Sequence, residues 1–204
     1  MFHLIFNVLF FISLTFRSFY YDGEDPKHEI WLVKSNSSLK VDGKTNINSF
    51  NCVVPSYGKM DTLICYRPSS INEPCRVESK LIIEIENFDC HHKIMTKDLQ
   101  KTLKAHTYPS MIIDIKSFSR ILSSVTHSSS ITGKADITLA GVVKNYTINF
   151  SYRQIGSDNV ELIGTRAILF SDFGLKPPSK LGGTIKVKDQ LDVEFKLQLK
   201  KVKH

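Results

Sequence analysis

Strict alternation of apolar and polar residues in the second half of the chain is the feature that most constrains the fold. Across residues 193–199, apolar side chains occupy every second position, and charged or amide side chains occupy the positions between them. The same period of two runs through residues 145–152 and through residues 83–86. A period of two places one face of an extended strand in the core and the other in solvent. The chain is therefore predicted to be rich in half-buried β-strands.

Shorter apolar runs extend this pattern, and turn signals at Asp42-Gly43, residues 156–159 and Pro177-Pro178 separate them. A length of 204 residues with 42% hydrophobic side chains suits a single domain with a sizeable core. Many short strands in one domain indicate a closed antiparallel barrel or a sandwich. The further strand candidates are residues 29–34, 37–41, 47–53, 63–67, 111–118, 131–139, 160–170 and 184–187.

One segment, near residues 95–106, has the pattern of a helix. Thr96 is placed to act as its N-cap, and Leu99 and Leu103 are four positions apart on one face. Pro109 follows the end of the segment, as is common after a helix. We expect a short helix with a solvated lysine-rich outer face.

The first residues have the composition of a targeting segment rather than of the fold. Residues 4–16 form an apolar run that is shorter than the roughly 20 residues of a membrane-spanning helix. Its length is typical of the hydrophobic region of a signal peptide. We expect residues 1–18 to be a cleaved signal peptide, residues 19–204 to be the mature domain, and the protein to be periplasmic or secreted. The alternative is an apolar N-terminal strand or buried helix.

The cysteines are even in number and contain no Cys-x-x-Cys pair. Cys52, Cys65, Cys75 and Cys90 would form two disulfides in an oxidising compartment, and the sequence allows three pairings. Cys52 and Cys90 each end an apolar run, whereas Cys65 and Cys75 bracket a proline-containing loop. We favour the pairings Cys52–Cys90 and Cys65–Cys75.

The formal net charge of +7 raises the question of an anionic partner. The lysines of the C-terminal strand alternate with its apolar residues, so they occupy the outward face, and the aromatic side chains occupy the inward one. Single-stranded nucleic acids are bound by exposed aromatic side chains among basic ones. We therefore predict no nucleic-acid binding, and peripheral contact with anionic lipid headgroups stays open.

No motif of a known catalytic class is present, and we predict that the protein is not an enzyme. The densest group of metal-ligating residue types is Asp89-Cys90-His91-His92. Adjacent residues on a strand point to opposite faces and do not converge on one ion. We therefore predict no metal site and no cofactor.

Two stretches resemble a known family. The first is residues 103–112, where the predicted helix leads through Tyr108-Pro109 into a strand; the second is residues 133–144 (GKADITLAGVVK), followed later by Asp172-Phe173-Gly174. This order of motifs resembles the YceI-like family of polyisoprenoid-binding, lipocalin-like proteins. The likeness extends from about Trp31 to Val202. Two positions depart from the family pattern, since Phe170 stands where an arginine is usual and Val143 where a threonine is usual.

The resemblance implies a single lipocalin-like antiparallel barrel of about eight strands with one short helix. It also implies a bound amphiphilic lipid, such as a quinone or polyprenol, held for transport or storage, and it makes a homodimer possible. The alternative is a secreted or stress-related interaction protein whose barrel is packed and free of ligand. The residues expected to line the barrel and contact the lipid are Ile83, Ile85, Ile113, Ile115, Tyr146, Ile148, Phe150, Tyr152, Phe173, Val193, Phe195 and Leu197.

Overall fold

The computed structural model describes residues 27–70, 73–125 and 128–203. These residues form twelve strands and one α-helix, α1 (Lys93–Thr102). The predicted signal peptide and its cleavage point lie outside the described residues. The strands are β1 (His28–Val33), β2 (Ser38–Thr45), β3 (Ser49–Val54), β4 (Asp61–Tyr66), β5 (Cys75–Glu78), β6 (Leu81–Glu84), β7 (Ser110–Phe118), β8 (Ser128–Leu139), β9 (Val142–Gln154), β10 (Asn159–Leu169), β11 (Ser179–Lys180) and β12 (Ile185–Lys201).

Eight of these strands close into an antiparallel barrel in the order β1-β4-β5-β7-β8-β9-β10-β12, and β12 pairs back with β1. The predicted fold class is confirmed. Closure leaves the ring itself without an edge, because every strand of the ring has a partner on both sides.

Strand β12 is long enough to pair with two different strands, β2 and β1, along one of its sides. Along one side it pairs with β10 from Leu169↔Gln190 to Asn159↔Lys200. Along the other side its first half pairs with β2 and its last residues pair with β1. The β2–β3 hairpin therefore forms the wall at one end of the barrel. We call this end the helix end, since α1 and the first residues of β12 lie there. The opposite end contains Glu29, Cys65 and Tyr152.

Alternation accounts for the core. Inward positions of β7, β9 and β12 are buried and their outward neighbours are exposed or half-buried. Glycine makes room for rings on neighbouring strands: a Cβ atom at Gly164 would lie 2.5 Å from the ring of Phe150. That ring in turn packs edge-on against Phe118, with 5.4 Å between the centroids. The middle of the barrel is thus filled by aromatic side chains.

Most of the strands predicted from the sequence are present. The short strands β5 and β11 were missed, and the alternation at residues 83–86 extends past the end of β6 at Glu84, where a 3-10 turn follows. Asp42-Gly43 is not a turn but part of β2, where Gly43 is opposite Phe50. A Cβ atom there would lie 2.2 Å from the Phe50 ring, so the glycine accommodates an aromatic neighbour.

Helix α1 begins and ends earlier than the predicted 95–106 segment. Its N-cap residue is His92, whose side chain makes no capping bond, so the prediction of Thr96 as N-cap was wrong. The Thr96 hydroxyl instead accepts a hydrogen bond from the backbone N–H of Cys90 at 3.0 Å. The helix end follows from Lys104, which adopts a left-handed backbone with a φ of 56°. None of the described residues forms a helix that is long and apolar enough to span a bilayer.

Candidate functional site

Helix α1 covers the helix end of the barrel with its apolar face. Leu99 and Leu103, four positions apart, are both buried against the strands below. The start of the helix is fixed by the disulfide between Cys52 of β3 and Cys90. A β-bridge between Val53 and Asp89 lies directly beside that disulfide. The helix is therefore tied to the β2–β3 hairpin at its N-terminal end.

An open chamber of about 310 Å³ lies between the first turns of α1, the β2–β3 hairpin and the start of β12. We call it the outer chamber. Its size is at the lower end of the range of small-molecule sites in proteins. Its apolar walls are formed by Phe50, Cys52, Ile94, Met95, Leu99, Phe170, Pro178, Ile185 and Val187.

The wall of the outer chamber is held by hydrogen bonds between different segments of the chain. The side-chain amide of Asn46, in the β2–β3 turn, accepts from the backbone N–H of Lys186 at 2.9 Å and donates to the carbonyl of Thr184 at 2.9 Å. The backbone N–H of Val187 donates to the carbonyl of Pro178 at 3.1 Å. The β2–β3 turn is thus tied to the start of β12, which is far from it in the sequence.

Few polar side chains reach the outer chamber. They are Thr45 and Asn48 of the β2–β3 turn, together with His92 and Asp98 of the helix segment. The Thr45 hydroxyl donates to Asn48 Oδ1 at 2.6 Å, so that hydroxyl already has a partner. Asp98 is thus the only acidic side chain among the described residues of the lining. An anionic group placed in the chamber would meet its carboxylate.

Beyond Leu99 three small cavities lie among the described residues of the barrel. A cavity of about 30 Å³ lies under α1 and is lined by both Leu99 and Leu103. Two more, of about 10 Å³ and 20 Å³, follow along the barrel. Phe195 of β12 lines all three, and Leu99 lines both the first of them and the outer chamber. The chamber and the inner cavities are therefore arranged in series, with Leu99 and Phe195 between them.

All twelve side chains predicted to line the barrel are buried. Ile85, Tyr146, Tyr152 and Phe173 are buried without lining the inner cavities, whereas the other eight do line them: Ile83, Ile113, Ile115, Ile148, Phe150, Val193, Phe195 and Leu197. Their contact with a ligand stays a prediction.

Tyr146 and Phe173 close a gap in the barrel wall. Pairing between β9 and β10 stops at Thr165↔Asn149, and the 3-10 turn Ser171–Phe173 packs beside the unpaired part of β9. The Tyr146 hydroxyl donates to Asp172 Oδ2 at 2.8 Å, and its ring lies 6.3 Å from that of Phe173. Burial first, and then this hydrogen bond to a carboxylate, raise the pKa of Tyr146. The Asp-Phe-Gly segment is therefore structural at this point.

The opposite end of the barrel is sealed by a buried carboxylate. Glu29 is 2% exposed and accepts hydrogen bonds from Lys201 at 3.1 Å, from the Trp31 indole at 3.3 Å and from the Ser123 hydroxyl. Burial alone would raise the pKa of Glu29, but the hydrogen bonds from Ser123 and Lys201 outweigh it, and the pKa is lowered. Glu29 was not singled out from the sequence, because a glutamate in a short strand gives no sign of facing inward.

One of the two favoured cysteine pairings requires correction. The structure contains the Cys52–Cys90 disulfide, but Cys65 and Cys75 are buried free thiols. Cys65 of β4 is opposite Val77 of β5, so Cys75 is its diagonal rather than its direct neighbour. Diagonal positions on antiparallel strands are about 7–8 Å apart, whereas the Cα atoms of a disulfide are usually about 4.4–6.8 Å apart. The Cys65 thiol is hydrogen-bonded to the Cys75 sulfur, and the Cys75 thiol donates to the carbonyl of Arg120 at 3.2 Å.

The Asp89–His92 segment does not assemble ligands for an ion. Cys90 is in the disulfide, and Asp89 accepts from the backbone N–H of His91 at 2.8 Å. Within the three described ranges of the chain, no three or more metal-ligating side chains converge.

Comparison with known proteins decides the family. The YceI-like domain model matches residues 66–199, which is well over half of the chain. The chain belongs to the YceI-like family. The resemblance carried by Tyr108-Pro109 and the Asp-Phe-Gly motif is thereby confirmed.

Solved structures show the same fold as this YceI-like chain at low sequence identity. A polyisoprenoid-binding domain from Saccharophagus degradans, implicated in plant cell wall breakdown, matches with a TM-score of 0.60 and 11% identity, over 85% of this chain and 98% of that one. BcnA from Burkholderia cenocepacia matches with a TM-score of 0.60 and 16% identity, over 81% and 98%. A YceI protein from Campylobacter jejuni matches with a TM-score of 0.51 and 16% identity, over 79% and 85%. No curated protein matches the chain.

The YceI-like chain departs from the family pattern at a position that the structure places in the outer chamber. Phe170, which stands where an arginine is usual, is 2% exposed and forms part of the apolar wall. Phe170 therefore contributes apolar surface and no charge to the chamber. Sequence reasoning singled out Phe170 only as a departure and did not identify the chamber, whose walls come from segments that no local pattern connects.

Proposed function

We propose that this YceI-like protein is an exported, non-catalytic binding protein that holds a long-chain polyisoprenoid lipid with an uncharged head. The observation that carries the proposal is the series formed by the outer chamber, Leu99, the inner cavities and Phe195. It leads from solvent into the barrel along walls that are almost entirely apolar. The polyisoprenoid-binding domain from Saccharophagus degradans, which has the same fold, supports the choice of ligand class.

The energetics of such a ligand suit an apolar site without catalytic groups. Burial of a hydrocarbon contributes about 0.8 kcal/mol per CH2, so one five-carbon unit supplies a few kcal/mol before the cost of ordering the chain. The outer chamber would take the head and the first units. The tail would extend past Leu99, whose side chain would have to change rotamer to let it through.

The chemistry of the outer chamber favours an uncharged head. A phosphate would lose its hydration against the mostly apolar lining of the chamber, and Phe170 adds an apolar ring there rather than a cation. A quinone or a free alcohol needs only one or two hydrogen bonds, which His92 and Asn48 are placed to provide. We infer that polyprenols and quinones bind better than the corresponding phosphates.

Export is proposed on two grounds. The apolar run at residues 4–16 has the length of a signal-peptide hydrophobic region, and the Cys52–Cys90 disulfide is of a kind that persists in oxidising compartments. We propose the periplasm or the extracellular space as the destination, and transport or storage of the lipid as the role.

A second candidate function has an observation in its favour. The inner cavities measure only about 10–30 Å³, which is room for one or two water molecules. A barrel packed in this way would serve as a ligand-free interaction module. The two candidates differ in whether the side chains of Leu99 and Phe195 move aside for a hydrocarbon chain.

A titration with a matched pair of variants tests the proposal. Purified protein is incubated with undecaprenol, separated by gel filtration and analysed for bound lipid. Ile185→Asp places a carboxylate in the outer chamber, and Ile155→Asp makes the same change at an exposed site beyond β9. We expect wild type and Ile155→Asp to retain undecaprenol and Ile185→Asp to lose most of it. Absence of bound lipid on the wild-type protein would favour the packed barrel.

A competition experiment tests the inference that the lipid head is uncharged. Undecaprenol and undecaprenyl phosphate are offered in competition to the wild-type protein. We expect the wild-type protein to retain more undecaprenol than undecaprenyl phosphate. An Asp98→Asn variant, which removes the carboxylate from the lining, should reduce this preference. Preferential retention of the phosphate would contradict the assignment of an uncharged head.

A further inference from the structure

Exposed apolar side chains are concentrated at the helix end of the barrel. Of the eight large hydrophobic side chains that are exposed among the described residues, five lie at this end. Ile47 in the β2–β3 turn and Ile94 at the start of α1 are the most exposed of the five, at 67% and 61%. The other three, Tyr108, Val143 and Leu169, lie at the adjoining ends of β7, β9 and β10.

Ile47 and Ile94 flank the opening of the outer chamber. Ile94 is itself part of the chamber wall, and Ile47 lies between Thr45 and Asn48, which also line it. The turn that carries Ile47 is held in place by the hydrogen bonds between Asn46 and the start of β12. The two isoleucines are therefore presented by fixed backbone on either side of the opening.

Positive charge surrounds the same opening. The segments that frame it, residues 44–48, 92–98, 176–178 and 184–189, carry six lysines and two aspartates. Both aspartates are half-buried, and Asp189 accepts hydrogen bonds from the backbone and hydroxyl of Ser171. The lysines are all exposed: Lys44, Lys93, Lys97, Lys176, Lys186 and Lys188.

We propose that the helix end docks on the surface of an anionic phospholipid bilayer, with Ile47 and Ile94 inserted among the headgroups and the six lysines beside lipid phosphates. Exposed apolar side chains among lysines are the combination that binds proteins to anionic membrane surfaces. Docking in this orientation places the outer chamber against the bilayer, so a lipid passes between membrane and barrel without crossing water. The inference rests on the proposed function, because it assigns that lipid's source.

The orientation also separates the surface lysines from the ligand. The lysines bind phosphates of the membrane outside the chamber, whereas the lining of the chamber is mostly apolar and contains no lysine. The protein would thus be attracted to an anionic surface while it selects an uncharged lipid from it.

Vesicle flotation with two matched pairs tests the docking surface. Wild-type protein is mixed with vesicles of phosphatidylcholine and phosphatidylglycerol, or of phosphatidylcholine alone, at low and high salt. Ile47→Asp/Ile94→Asp is compared with Ile155→Asp, which is exposed away from the helix end. Lys93→Glu/Lys97→Glu is compared with Lys80→Glu/Lys134→Glu, which makes the same change in net charge on the barrel wall.

We expect binding to the anionic vesicles, weakened by salt, with about a tenfold or greater loss in both helix-end variants and little loss in either control. Equal losses in the control variants, or no binding to anionic vesicles, would overturn the proposal. A third result would also overturn the proposal: the wild-type protein does not bind vesicles but forms a concentration-dependent dimer, and Ile47→Asp/Ile94→Asp abolishes that dimer. The surface would then bind a second copy of the chain.

The experiments test the proposed lipid binding and the proposed membrane docking independently. The vesicles contain no polyisoprenoid, so the flotation result does not depend on ligand binding in the chamber. Retention of undecaprenol by Lys93→Glu/Lys97→Glu, whose side chains do not line the outer chamber, together with loss of vesicle binding would support both. Retention of undecaprenol by a wild-type protein that ignores anionic vesicles would overturn the docking surface alone.

Discussion

Leu99 of α1 and Phe195 of β12 line the same cavity of about 30 Å³ beneath the helix, and between them they separate the outer chamber from the rest of the barrel. Leu99 borders the chamber on its other side, and Phe195 borders the two cavities deeper in the barrel. Any chain that enters the barrel from the helix end must therefore displace Leu99 first and Phe195 next.

Leu99→Ala is expected to speed lipid uptake, because it removes the side chain between the chamber and the first inner cavity. Leu103→Ala is the matched control, since Leu103, the residue directly after α1, is also buried and lines the inner cavity but not the chamber. Both should lower the free energy of unfolding by about 2–4 kcal/mol. Stopped-flow uptake of a fluorescent polyprenol should be faster for Leu99→Ala only, and equal rates would contradict the assignment.

Removal of the Cys52–Cys90 disulfide should destabilise the protein substantially. The bond joins residues 38 apart in sequence. Loop-closure entropy for a loop of that size predicts a loss of about 4 kcal/mol in the free energy of unfolding. Urea denaturation of Cys52→Ser/Cys90→Ser, or of wild type under reducing conditions, measures it. A change below about 1 kcal/mol would show that the helix end is held without the bond.

Cys65 and Cys75 should be countable as free thiols. Alkylation of denatured, unreduced protein is expected to label these two cysteines and to leave Cys52 and Cys90 unlabelled. In the native protein both thiols should react slowly, because both side chains are fully buried. Peptide mass spectrometry locates the label. Complete absence of labelling would restore the Cys65–Cys75 disulfide.

Glu29 should make the stability of the protein depend on acid pH. Its pKa is lowered in the folded state, so its contribution to the free energy of unfolding is complete above the ordinary glutamate pKa of about 4.5 and is lost as pH falls through the lower folded value. Glu29→Gln should lower the free energy of unfolding at neutral pH by about 1–3 kcal/mol. The free energy of unfolding of this variant should also fall less steeply than that of wild type as the pH is lowered.

Denaturation curves between neutral and acid pH measure this effect, with Glu86→Gln, an exposed glutamate after β6, as control. Part of the acid dependence should survive in Glu29→Gln, because Glu161 is also buried and its pKa is lowered by hydrogen bonds from Arg153 and Gln198 that outweigh burial. Identical curves for wild type and Glu29→Gln would contradict the assignment of Glu29 as an ionised buried group.

The bond between Tyr146 and Asp172 should hold the Asp-Phe-Gly turn against the barrel. Tyr146→Phe and Asp172→Ala are each expected to lower the free energy of unfolding by about 1–3 kcal/mol. The double variant should lose less than the sum of the two single losses. A double-mutant cycle in urea measures the coupling. Additive losses would mean that the 2.8 Å contact contributes nothing to the closure of the gap between β9 and β10.

Alternation was sufficient to predict the barrel interior, because a period of two leaves no choice of face once one face is buried. Phe150, Phe195 and Leu197 are buried for this reason. Alternation does not predict the short or irregular segments. The strand β5 has only four residues, and Glu29 faces inward in β1 because Lys201 and Ser123, far away in sequence, provide its partners.

The outer chamber could not be predicted from the sequence. Its walls combine the β2–β3 turn, the start of α1 and the start of β12, which come together only after the barrel has closed. The glycine at position 43 shows the difficulty, since Asp42-Gly43 is typical of a turn but accommodates the ring of Phe50 in a straight strand. Likewise, α1 starts where the Cys52–Cys90 disulfide and the hydrogen bond to Thr96 place it, not at a capping side chain.

Extraction of the purified native protein with organic solvent, followed by mass spectrometry, tests the central claim most directly. The account predicts a long-chain isoprenoid with an uncharged head, recovered from wild type and absent from Ile185→Asp, in which the outer chamber carries an added carboxylate. Recovery of no long-chain lipid from the wild-type protein, with the inner cavities still at about 10–30 Å³ in an experimental structure, would contradict it.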